Sequence, residues 1–119
     1  LVVGGLSVIN TMAMSVAERT REIGIKRAIG ASKSRIMREI VFEAGLIGLI
    51  GGIIGLVLGI TVVLIANHLG RSSGTILFAL TADRAIFAVV FSAILGMVAG
   101  LMPAWNAARL DPVQALRHE

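Results

Sequence analysis

Few residues of this chain are of types that do chemistry, and their spacing excludes most of what they suggest. Gly30, Lys33 and Ser34 have the composition of the end of a phosphate-cradling loop, in which a lysine reaches the phosphates and a hydroxyl meets magnesium. That loop needs a glycine directly before the Lys-Ser/Thr pair and a strand before the loop. Ser32 stands in the glycine's place and no strand pattern precedes it, so nucleotide is not bound by that route. His68 has no companion ligand nearby, which leaves a metal or proton role without a second group. No Ser/His/Asp or His/Glu cluster of an intramembrane protease is present. The apolar runs hold no charge for a proton relay or ion-coupled transport.

What remains is charge, and it is gathered in one place. Val16 to Ile40 holds seven of the eleven basic residues (Arg19, Arg21, Lys26, Arg27, Lys33, Arg35 and Arg38) against Glu18, Glu22 and Glu39. Residues 1–17 before it and 44–66 after it carry no ionisable side chain. A basic segment slung between apolar spans belongs on the cytoplasmic face. Its cations are interrupted by Ile23, Ile25, Ala28 and Ile29, and no aromatic residue there can stack a base. The pI near 11.2 therefore points to a bilayer and a protein partner, with no nucleic acid.

The elements that would hold this segment are membrane helices. The 119 residues are 56% hydrophobic and 15% charged, far from a soluble composition. There are no cysteines, so no disulfide framework exists. Three spans are expected, at about 1–17, 44–66 and 85–108, giving an all-α membrane protein of one module, 1–119. Leu1 is preceded by neither an initiator Met nor a basic leader region. The first span therefore reads as the later part of a longer helix in a larger protein.

Between the first two spans the sequence reads as helix, tight turn, helix. Glu22 and Lys26 lie four apart and attract, while Glu18 and Glu22 repel. Gly30 suits a left-handed helix end, and Ser32 or Ser34 can cap the next helix. Ile36, Met37, Ile40 and Val41 recur at helical spacing as that helix climbs to the membrane. The product is a protruding elbow over 18–40.

In the second span Gly45, Gly48, Gly52, Gly55 and Gly59 form one stripe, expected to be a packing face because small residues let membrane helices approach closely. Ala88, Ser92, Gly96, Gly100, Ala104 and Ala108 form a second ridge in the third span. The connection at 67–84 carries only Arg71 and Arg84 as cations and faces outside, with a turn at Gly70–Gly74 and an interfacial run at Ile76–Leu80. Thr81 is a candidate N-cap, with Asp83 in the first turn. Pro103 should bend the third span, and Trp105 and Arg109 mark its membrane–water boundary. Asp111 and Pro112 open a short amphipathic C-terminal helix on the cytoplasmic surface, with Gln114 three after the cap.

Taken together, Ser15-Val-Ala-Glu-Arg-Thr-Arg-Glu-Ile-Gly-Ile-Lys-Arg-Ala-Ile-Gly-Ala-Ser32, a glycine-rich span, and Pro103-Ala-Trp-Asn-Ala-Ala-Arg-Leu-Asp-Pro-Val-Gln-Ala-Leu-Arg117 resemble the FtsX/MacB family of ABC transporter permeases, over the whole chain and in its MacB-like branch. The resemblance implies a C-terminal permease region in a bacterial or archaeal cytoplasmic membrane. It implies an upstream helix and extracytoplasmic domain, a permease homodimer or heterodimer, and a fused or separate ATPase that holds ATP and Mg. This chain would bind no cofactor and perform no catalysis itself. Glu18, Arg19, Arg21, Glu22, Ile23, Gly24, Ile25, Lys26, Ile29 and Gly30 would form the ATPase-coupling segment. Gly48, Gly52, Gly55, Gly59, Ser92, Gly96 and Gly100 would pack the helices. The branch exports macrolides, peptides or other amphiphiles, in some bacteria with a periplasmic adaptor. Two further functions fit the sequence: a relay that drives extracytoplasmic cell-wall hydrolases without moving substrate, and a scaffold whose elbow binds only anionic lipid.

Overall fold

The computed structural model describes residues 1–71, 79 and 81–117. Among them all regular structure is helical: α1 (Val2–Glu18), α2 (Thr20–Ala28), α3 (Lys33–Gly70), α4 (Ala82–Ala108) and α5 (Pro112–Arg117). Most of the expected Gly70–Gly74 turn and Ile76–Leu80 run lies outside the described residues.

Two helices, α3 and α4, are long and apolar enough to cross a membrane. With 38 residues, α3 is about 57 Å long, well beyond the roughly 30 Å of bilayer hydrocarbon. More than half of the excess is its charged first part, Lys33 to Glu43, which continues without a break into the uncharged run. The 17 residues of α1 fall at the lower limit for a span, so the structure itself provides two helices long and apolar enough to span and one shorter apolar one. Large side chains such as Ile53, Val57, Leu58, Phe87, Val90 and Ile94 are exposed on α3 and α4. In water such a surface would aggregate; in lipid it is matched to its solvent.

The α3–α4 contact is built on the absence of side chains. An added Cβ on Gly48 would lie 2.5 Å from the Ser92 carbonyl oxygen, and one on Gly96 2.6 Å from that of Ala44. Ser92 Oγ donates to the Gly48 carbonyl at 2.8 Å, a bond between helices that only this close approach permits. Gly100 meets Ala44, and Gly52 meets Ser92. The stripe then divides: nothing lies within 4 Å of a Cβ built on Gly55 or Gly59. The helices separate toward α3's distal end, leaving an open groove lined by Gly55, Gly59, Ala85 and Ala88.

The buried core lies at the opposite end, beneath the elbow. Met12 of α1, Ile23 of α2, Ile36, Ile40 and Ala44 of α3, and Ala104 and Ala107 of α4 form one cluster. Alanines let α4 come close, and the unbranched Met12, 1% exposed, fills the irregular space that remains. α4 continues through Pro103 to Ala108.

Candidate functional site

The elbow begins at a break between α1 and α2. At Arg19 the backbone leaves the helix at φ −97°, ψ 11°. Thr20 Oγ1 donates to the carbonyls of Val16 (3.1 Å) and Ala17 (2.8 Å), a local side-chain bond of the kind that bends helices. α2 ends where the sequence indicates. Gly30 has φ 102°, the only positive φ among the described residues. The Ala31 amide donates to the Lys26 carbonyl at 2.9 Å and the Gly30 amide to that of Arg27 at 3.2 Å. This pair of bonds is the Schellman motif, which satisfies two carbonyls at the end of α2. Two residues on, Ser32 Oγ accepts from the Arg35 amide at 3.2 Å and caps α3.

The elbow's position is set by groups on three other helices. Arg19 Nη1 lies 3.3 Å from Glu43 Oε2, Lys26 Nζ 3.2 Å from Glu39 Oε2, and Arg35 Nε 3.7 Å from Glu39 Oε1. The Arg27 guanidinium donates to the Ala108 carbonyl at the end of α4. α2 also packs against α5, which opens with Asp111 Oδ1 accepting from the Val113 amide at 3.0 Å, as expected of an Asp N-cap. Thr81 occupies the N-cap position of α4, but its side chain makes no capping bond.

These restraints sort the candidate residues into two faces. Ile23, 8% exposed, and Gly24 are buried. Both face the interior of the protein. Glu18, Arg19, Arg21, Glu22, Ile25, Lys26, Ile29 and Gly30 are exposed. Ile25 is 45% exposed and Ile29, at the tip, 80%. Among the described residues Glu18, Arg21 and Glu22 make no ion pair. Lys26 pairs across to α3, so the expected Glu22–Lys26 pair within α2 does not form. Among the described residues no cluster of His, Cys, Asp or Glu could hold a metal. The elbow is thus a surface of free charges and bare isoleucines on a rigid mount, suited to gripping another macromolecule.

Sequence reasoning passed over Arg27, Glu39 and Glu43, which hold the elbow in place. The signal for Arg27 was available: it stands four residues after Ile23, on the inward side of α2. The acids at 39 and 43 lie one turn apart on α3, but nothing local in the sequence pairs them with residues 13 and 24 positions earlier.

Residues 1–112 match the FtsX-like permease C-terminal family. The chain belongs to that family. By family it is a membrane permease domain of the ABC transporter class. All 119 residues align, at 42% identity, with a macrolide export ATP-binding/permease protein of Psychrobacter cryohalolentis. They align at 45% with proteins of the same name from Hahella chejuensis and Shewanella oneidensis. The chain spans 18% of the length of each of these relatives, whose name joins an ATP-binding and a permease part in one protein.

Proposed function

We propose that this chain is the permease portion of an ATP-driven exporter, and that the elbow over residues 18–40 receives motion from an ATPase. The observation that carries this reading is the exposure of Ile29 and Ile25 beside the unpaired Arg21 and Glu22 on a segment fastened to α1, α3 and α4. A soluble partner covers apolar groups that water would leave costly, and the free charges fix its register. The relatives' shared name, macrolide export ATP-binding/permease protein, supports an ATPase partner and an amphiphilic cargo. The ATPase, fused or separate, holds ATP and Mg, and the exported molecules are amphiphiles of the macrolide, peptide or lipoprotein kind. The permease acts as a dimer. α1, α3 and α4 each cross the membrane, with the elbow and α5 on the cytoplasmic side.

ATP-driven closure of the ATPase displaces the elbow, and the core of Met12, Ile23, Ile36 and Ala104 passes that displacement to the membrane helices as a rigid body. Glu22→Lys and Ile29→Asp both alter exposed side chains, so they leave the fold intact. In the reconstituted complex each variant reduces permease-stimulated ATP hydrolysis and recovery of the ATPase by pull-down. Stimulation and binding equal to wild type in both would sink this reading.

A further inference from the structure

The Arg27–Ala108 bond links residues 81 positions apart, and its setting shows why the contact matters. The last carbonyls of a helix lack intrahelical partners and carry the negative end of its dipole. At the end of α4 the Arg109 amide serves the Trp105 and Asn106 carbonyls, and the Leu110 amide serves that of Ala107. The Ala108 carbonyl is left over. Ala107 and Ala108 are buried, where an unbonded carbonyl is costly. α4 has no basic residue in its last turn. The nearest cation along the chain, Arg109, instead lies over the Trp105 ring, 4.7 Å from its centroid. Arg27, half-buried, supplies from the elbow both the donor and the positive charge that α4 lacks.

We propose that Arg27 is a positioning residue that fastens α2 to the cytoplasmic end of α4, so that α2, this end of α4 and α5 move as one body. The ATPase then drives α4 directly through Arg27, in parallel with the covalent connections to α1 and α3. This step rests on the coupling reading of the elbow.

The test uses the full-length protein with its ATPase in proteoliposomes, spin-labelled at Ala28 and Val113, both exposed. With Arg27 present the interlabel distance distribution is narrow and does not change with nucleotide. Arg27→Met, which retains length but no donor, broadens it. The same variant lowers the stimulated ATPase rate about tenfold, the lower end of the effect of one hydrogen bond to a charged group, with KM for ATP unchanged. Arg27→Lys, with one charged donor group, recovers part of both. Arg27→Leu, which also lacks a donor, replaces Arg27→Met should the latter fail to assemble. A wild-type distance distribution in the donor-lacking variant overturns the proposal, as does a broadened one without loss of rate. The coupling reading fails separately, through wild-type ATPase binding in Glu22→Lys and Ile29→Asp, and the Ala28–Val113 distances report on the fastening either way.

Discussion

Lys26 Nζ lies 3.2 Å from Glu39 Oε2, joining α2 to α3 across the turn at Gly30 instead of bonding Glu22 one helical turn away. Glu39 also takes Arg35, so one carboxylate organises two cations from both sides of the elbow. Both partners are about half exposed, and exposed pairs contribute only about 0.2–1 kcal/mol. The pair therefore orients the elbow more than it stabilises it. A double-mutant cycle isolates the interaction: Lys26→Glu and Glu39→Lys each lower thermal stability, and the double reversal recovers about 0.5 kcal/mol relative to their sum. The recovery shrinks in high salt. Strict additivity at low salt would show that the pair carries no coupling.

The divided glycine stripe predicts a divided mutational response. Gly48→Leu forces its side chain against the Ser92 backbone and breaks the Ser92–Gly48 bond, costing on the order of 1–3 kcal/mol from overpacking. Gly55→Leu meets open space in this chain and costs little within it. Thermal unfolding in detergent orders the two. Equal destabilisation would mean that α3 and α4 remain in contact along the whole stripe.

Local structure was legible in the sequence wherever a single residue type fixes it. Gly30 ends α2, Ser32 caps α3, and Asp111 opens α5 before Pro112. The stripe in α3 was legible only as a pattern, since the spacing of glycines records which side a helix turns to its neighbour but not where the neighbour diverges. That is why Gly48 and Gly52 touch α4 while Gly55 and Gly59 do not. Ile23, Ile25 and Ile29 look alike in sequence, and only the tertiary packing of Met12 and Ile36 takes Ile23 out of the exposed set. The tie between Arg27 and Ala108 depends on two helix ends meeting, which no local pattern encodes.

The charge asymmetry yields a topology prediction. Seven cations in the elbow, against Arg71 and Arg84 in the later connection, place the elbow inside. Cysteines introduced at Ser34 and Ala79, both exposed, react with a membrane-impermeant maleimide from opposite sides of sealed vesicles. Labelling of both from one side would contradict a crossing by α3.

The turn at Gly30 offers a test in which space and conformation are separable. Its φ of 102° is a backbone state that an L side chain occupies only with strain of about 1–2 kcal/mol. Yet a Cβ built there meets nothing within 4 Å, so no clash contributes. Substitutions at this position should thus rank by left-handed tolerance and not by volume. Asn, which visits that region most readily, should cost least, Ala more, and the β-branched Val most. Since Gly30 directs the Schellman bonds to Lys26 and Arg27 and sets the angle between α2 and α3, Val also shifts Ile29 and reduces stimulated ATP hydrolysis, while Asn retains most of it. The measurement is thermal unfolding and ATPase rate across Gly30→Asn, Gly30→Ala and Gly30→Val. A ranking by side-chain size, with Ala mildest, would show that crowding by a bound partner, and not backbone conformation, selects glycine at the elbow.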